Sequence, residues 1–185
     1  KRTDSSNNWI VYHKATGTGH YTTLNTNGTQ DSASGAWCTP SSTLIQLNQV
    51  FGATNTNGAT YIAYCFAEKI GYSKIGEYQG NGSSEGPFVF TGFKPSFIFL
   101  KNKSSANSWE IRDNKRQPFA DGNGKRLFPD SGTSESSNTE AIEKLSTGFK
   151  IYSTGSGHNT NNNDYIYLAI GQSLVGSNNI PVMAG

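Results

Sequence analysis

TYIAYCFAEK, residues 60–69, returns near the other end of the chain as DYIYLAIGQ, residues 164–172. One offset relates the two. Tyr61 and Ile62 fall on Tyr165 and Ile166, and Asn55-Thr56-Asn57 falls on Asn159-Thr160-Asn161, 104 positions later in each case (165 − 61 and 159 − 55). Both copies are dense in β-branched and aromatic residues and too short for a helix of ordinary length, which predicts two strands entered from the same polar loop. The even positions, Ile62, Tyr64 and Phe66 in the first and Ile166, Leu168 and Ile170 in the second, are large and apolar and are expected to face the core. Small residues among Tyr61, Ala63, Cys65 and Ala67, and among Tyr165, Tyr167, Ala169 and Gly171, let a second layer pack closely on the other face. Both strands are therefore expected to be central.

Working outward, NWIVYHK (8–14) matches SWEIRDN (108–114): Trp9 falls on Trp109 and Val11 on Ile111, at an offset of 100 (109 − 9). The Trp and the branched aliphatic mark the inward face of each. The polar segments 1–7 and 101–107 read as equivalent hairpin loops. PSFIFL (95–100) precedes the second, and no equivalent precedes the first. The chain is accordingly expected to be a piece of a longer polypeptide, or to have that place filled by another segment.

TLIQLNQVF (43–51), PFVFT (87–91) and GFKIYST (148–154) alternate as strands do. TEAIEKL (139–145) is rich in helix formers, with Asn138 as N-cap and Gly148 as a stop, and predicts one short helix. Residues 71–86 are glycine-rich and turn-like, with a strong turn signal at Asn81-Gly82. The expected fold is an all-β, antiparallel β-sandwich built from two related repeats, residues 1–75 and 76–172, with at most one short helix and an extended tail at 173–185.

Only 15% of residues are charged and the formal net charge is +2, which gives no electrostatic case for nucleic acid or an anionic membrane. No apolar run approaches the roughly 20 residues of a spanning helix. Polarity comes from Asn, Ser, Thr and Gly, and the 12% of aromatic residues favours a packed β protein over a disordered one. Cys38 and Cys65 are expected to be free thiols, a count that fits synthesis in a reducing cytoplasm.

GEYQGNGSSEGPFVFTGFKPSFIFLKNKSSANSW, residues 76–109, resembles a repeat family common in bacteriophage structural proteins, above all tail fibre and tail-tip-associated proteins of marine phages. Those repeats run through GxYxGNG, then PFVxTGFxPxF, a polar loop and a Trp strand, and close on a YIAxAFAE-like strand, as in residues 60–68 and more loosely in 164–172. The resemblance implies a non-enzymatic virion component, tail fibre or tail-associated, assembled in the host cytoplasm and contacting other virion proteins and the host surface. It also implies a homo-trimer. The open edge beside the strand starting at Trp9 adds a physical reason, with residues 174–183 a candidate donor that Pro181 would confine to an edge.

No motif for a nucleophile, a zinc protease, a phosphate-binding loop or a paired CxxC occurs, and no cofactor is expected. His13, His20 and His158 read as partly exposed polar residues. His13 and His20 lack an acidic partner, so no metal site is expected. Glu135, Glu140 and Glu143 fall on or beside the predicted helix, and Glu68 and Glu110 have Lys69 and Arg112 close by, though thirteen carboxylates leave a glycosidase pair open. Asp121-Gly122-Asn123-Gly124 begins like a calcium loop, but Lys125 and Leu127 stand where ligands belong, which predicts a tight turn. NTNNND (159–164) is rich in oxygen, yet its match in the first repeat argues for a structural turn.

The candidate ligand-binding residues are Trp37 and Tyr21. Sugars stack on aromatic faces while Asn and Asp bond their hydroxyls, and the second repeat has no Trp at the corresponding place. The alternative is that Trp37 covers the end of the core. Three function classes therefore stand: a virion structural module, a lectin-like carbohydrate-binding module, and a hydrolase of cell-surface polysaccharide.

Overall fold

The computed structural model describes residues 1–33, 35–48, 52–116, 124–138 and 141–172. In chain order its strands are β1 (Ile10–Val11), β2 (His20–Thr23), β3 (Asp31–Ser32), β4 (Cys38–Pro40) and β5 (Ile45–Leu47) in the first unit. The second unit contains β6 (Ser73–Gln79), β7 (Phe88–Phe90), β8 (Pro95–Asn102), β9 (Glu110–Asp113), β10 (Gly124–Arg126), β11 (Ser136–Asn138), β12 (Ala141–Leu145), β13 (Gly148–Tyr152) and β14 (Asp164–Gly171). Every pairing is antiparallel and no helix occurs among the described residues, so the protein is all-β.

Two sheets make the second unit a sandwich. One has the order β6-β14-β8-β9 and the other β12-β13-β7. Between them lie Ile98 and Leu100 from β8, Tyr165, Tyr167 and Ala169 from β14, and Val89, Ile142, Phe149 and Ile151 from the facing sheet. β14 is central, as its sequence suggests, but its core face is the opposite of the expected one: Tyr165, Tyr167 and Ala169 point into the sandwich, and Ile166 is buried on the outside. The first unit covers that outer face. Lys101, directly opposite Ile166, donates to the Asn27 carbonyl at 3.2 Å, and the Trp109 indole donates to the Thr23 carbonyl at 2.9 Å. With both faces covered, alternation alone did not say which layer was the core.

The predicted helix at 139–145 is instead strand β12, apart from residues 139 and 140, which lie outside the described residues. Its register sets Ile142 opposite Ile151, where both are fully buried, and burial in a sheet outweighs local helix propensity. The glycine-rich stretch at 71–86 likewise contains β6, which pairs along β14 and crosses the expected boundary between residues 75 and 76. Gly76 belongs to that strand because a Cβ there would lie 2.6 Å from the Tyr167 hydroxyl.

The duplication is visible in the hydrogen bonds. Tyr165 pairs with Asn102 and Lys103 N–H donates to the Asp164 carbonyl at 3.0 Å; Tyr61 bridges to Arg2 and Thr3 N–H donates to the Thr60 carbonyl at 2.9 Å. The Thr160 amide donates to the Tyr165 hydroxyl at 2.8 Å, as does the Thr56 amide to the Tyr61 hydroxyl at 2.8 Å. Asn162 holds φ at 61°, matching Gly58 at 74°, so the turn needs a left-handed residue in both copies.

The first copy then departs from expectation. Residues 62–68 form no ladder, and Ile62, Tyr64 and Phe66 are 41%, 68% and 61% exposed instead of buried. The segment 1–3 pairs with 60–62, and among the described residues no strand lies beside 63–66. The tail at 173–185 lies outside the described residues.

Candidate functional site

β9 is the outer strand of the four-stranded sheet, and its alternation puts Glu110 opposite Leu100 and Arg112 opposite Ile98, on the core side. Two charges are thereby carried into the end of the sandwich, at 1% and 0% exposure. Arg112 grips Glu110 Oε2 through Nε at 3.0 Å and Nη2 at 2.8 Å. Arg126, from β10, reaches Oε1 at 2.8 Å, and His158 Nδ1 lies 3.4 Å from the same oxygen. Burial by itself would raise the Glu110 carboxyl, but Arg112, with His158 and Arg126 beside it, outweighs that and holds it well below the usual carboxylate range.

A cleft of about 210 Å³ opens beside this network, lined by Asn107, Ser108, Glu110, Arg126, Phe128, Ser156 and Gly157. A glycosidic acid must keep a proton near neutral pH, whereas Glu110 stays ionised with both oxygens engaged by guanidinium groups. The arrangement suits a different task. The ion pairs fix the end of the core, while on the outer edge of β9 Ile111 exchanges main-chain hydrogen bonds with Leu127 at 2.9 and 3.1 Å.

The predicted ligand residues meet at a second place. Trp37 is only 4% exposed; its Nε1 donates to the His20 carbonyl at 2.8 Å, and Tyr12 and Tyr21 meet its ring edge-on with centroids 6.4 and 6.2 Å away. Its faces are thus taken by protein, and it packs beneath the surface instead of offering a stacking platform. Tyr21 is half-buried and lines a cleft of about 370 Å³ that also includes Asn7, Asn8, Thr23 and Asp31.

Two histidines prove buried, contrary to expectation. His13 Nδ1 accepts from the Ala15 amide at 3.1 Å, which makes Nε2 the protonated nitrogen and donor to the Tyr167 carbonyl at 3.2 Å. Burial pushes its pKa down, opposed by that hydrogen bond. His158 is fully enclosed beside Glu110. Among the described residues no three His, Cys, Asp or Glu side chains are grouped as metal ligands.

Glu68 is bound by Lys14 at 2.8 Å and Lys74 at 3.3 Å, and Lys14 above all takes its carboxyl down to about 2. Glu135 pairs with Arg116 at 3.0 Å, and Glu143 sits on β12. Glu140 and residues 121–123 lie outside the described residues. The oxygen-rich loop at 159–164 is a structural turn. Asn159, fully buried, donates to the Ser83 and Ser153 carbonyls at 2.7 Å each and accepts from the Asn81 amide at 2.9 Å. Cys38 is buried and Cys65 exposed, both as free thiols.

Sequence reading missed the Glu110 network, whose members come from positions 110, 112, 126 and 158, too scattered to form a motif. The alternation of Glu110 and Arg112 on a strand whose Trp109 faces the other way was the available signal.

The family described as "Domain of unknown function (DUF7483)" matches residues 1–173. No curated protein and no solved structure matches the chain.

Proposed function

We propose, from the premise that the chain belongs to the DUF7483 family, that it is a non-enzymatic structural and interaction module of a bacteriophage virion, of the tail-fibre or tail-associated kind. The observation that carries the structural half is the repetition of one loop and its bridge in the same hydrogen-bond register, from Thr3 and Thr60 in the first copy to Lys103 and Asp164 in the second. Repeated β units suit a load-bearing part. The closed Glu110 network supports the same reading, because its carboxylate is spent on internal ion pairs. The virion half rests on the resemblance of residues 76–109 to phage tail repeats.

The partners that follow are other virion proteins, the host surface and further copies of the chain, assembled as a homo-trimer. Immunogold labelling of purified particles with an antibody against this domain tests the location: decoration of tail or fibre is expected, and unlabelled particles from a lysate containing the protein would overturn it. Mass measurement in solution tests the trimer.

The Tyr21 cleft favours a second reading, a glycan contact, because it sets an aromatic beside Asn7, Asn8 and Asp31. A glycan array separates the two. Binding that is lost in Tyr21→Ala supports the contact, and an array without hits rejects it.

A further inference from the structure

We propose that the cleft beside Glu110 and Arg126 binds an uncharged sugar ring, as the second copy of a site whose first copy is the Tyr21 cleft, so that each repeat carries one. The inference rests on the glycan reading of the Tyr21 cleft and extends it to the other unit. Strand register shows that the two clefts are equivalent. In the first unit Val11 pairs with Thr22 and Tyr21 with Asp31; in the second Ile111 bridges to Leu127 and Arg126 pairs with Ser136. Val11 matches Ile111, so Thr22 matches Leu127, which sets Arg126 at the place of Tyr21 and Phe128 at that of Thr23. A repeated hydrogen bond agrees: the Trp9 amide donates to the Asn25 side chain at 2.8 Å and the Trp109 amide to the Asp130 side chain at 3.1 Å, with the same step of 105 positions (127 − 22 and 130 − 25). Asn107, Ser108 and Glu110 follow Asn7, Asn8 and Ile10 by 100, and Ser156 and Gly157 follow Gly52 and Ala53 by 104. All seven residues lining the second cleft thus have an equivalent lining the first.

The clefts share chemistry as well as place. In each, the lysine that opens the polar loop, Lys1 or Lys101, donates through its ammonium to the carbonyl of the loop's last asparagine, Asn7 or Asn107, and fixes that wall. Each also keeps a side-chain N–H2 for a ligand. Asn8 Oδ1 accepts from the Asn25 amide at 3.0 Å and Asn107 Oδ1 from the Ser156 hydroxyl at 3.0 Å, while neither Nδ2 has a partner among the described residues. An aromatic ring stands in both walls: Tyr21 in the first, and in the second Phe128, held by Arg126 at 5.0 Å from its centroid. A pyranose presents an apolar C–H face and a rim of hydroxyls, which calls for a ring beside amide and hydroxyl groups. Both walls include a carboxylate, Asp31 or Glu110, which disfavours an acidic sugar. The second cleft is the smaller, about 210 against about 370 Å³, with Phe128 where the first has Thr23, so it takes a single ring.

The test is an amide NMR titration of the intact nitrogen-labelled chain with glucose, galactose and N-acetylglucosamine, and with mannitol, an open-chain polyol, as the control for hydroxyl content alone. At least one of the sugars is expected to shift the Gly157 amide and the Asn107 side-chain amide along one saturable curve and the Gly52 and Asn8 amides along another, with mannitol shifting neither pair. Ser108→Tyr fills the second cleft and spares the Glu110 ion pairs; it should weaken the Gly157 curve by about tenfold or more and leave the Gly52 curve unchanged. Tyr21→Ala should do the reverse. Shifts confined to the Tyr21 cleft and lost in Tyr21→Ala would overturn the second site while the glycan reading of the first stands. No shift at either cleft would overturn both, and Gly157 shifts that survive Ser108→Tyr or are matched by mannitol would overturn the second site.

Discussion

Glu110 illustrates how far a single side chain depends on its neighbours here. With Glu110→Gln, Arg112 and Arg126 keep their charge in a place from which water is largely excluded, and a broken buried pair costs about 3–5 kcal/mol. Urea denaturation should show that loss, and Glu110→Gln/Arg112→Met should recover much of it by removing one stranded charge. Lys101 gives a pH signature. Its ammonium is fully buried against the Asn27 and Asn107 carbonyls, and burial lowers its pKa to about 8 from 10.5. The folded protein then binds fewer protons than the unfolded chain between those values, so the cost of the buried charge is present below pH 8 and is relieved as pH rises toward 10.5. Relative to Lys101→Met, the wild-type urea midpoint should climb from pH 8 to pH 10. Thr22 offers the opposite case: its hydroxyl is buried without a hydrogen-bond partner among the described residues, so Thr22→Val should stabilise the fold by about 1 kcal/mol in the same assay. Of these environments only the nearness of Arg112 to Glu110 was legible in the sequence, because Arg126, His158 and Asn27 come from distant parts of the chain.

Elements were more legible than residues. The strands from Pro95, Gly148 and Asp164 were readable because alternation and β-branched or aromatic content coincided there. β12 was not, since Ala, Ile, Glu, Lys and Leu all tolerate a helix and only pairing with β13 decides the matter. Residues 60–69 carry a strand pattern whose partners determine whether it is a strand at all. The paired loops did show in the sequence through the repeated Asn-Thr-Asn, and they permit a comparison. The Tyr165 hydroxyl accepts from the Thr160 amide and donates to the Ser156 carbonyl at 3.0 Å in a buried setting, while the Tyr61 hydroxyl serves Thr56 in a half-buried one. Tyr165→Phe should therefore cost about 1–3 kcal/mol and Tyr61→Phe about 1 kcal/mol or less, because water can reach the orphaned amide in the first copy. Equal losses in thermal denaturation would mean that the two loops are equally enclosed.

At the scale of the whole molecule, the duplication and the all-β class were open to sequence reading, whereas the packing of the first unit on the outer face of the second unit's sheet was not. That packing runs through main-chain carbonyls of Ala15, Thr23 and Asn27, which carry no sequence signature. The central place of β14 also bears on the order in which a growing chain can fold. β6 and β8 are its neighbours on either side, and they wait for a strand that leaves the ribosome only after about eighty-five and about sixty further residues, respectively. Until then the sheet is two separate edges with nothing between them. A released chain truncated after residue 160 should accordingly show no protected amides in β6 by hydrogen exchange, and one truncated after residue 172 should protect both neighbours together. The middle of the sheet is its last part to be made, so assembly of this half resembles the closing of an arch by its keystone more than the adding of courses to a wall.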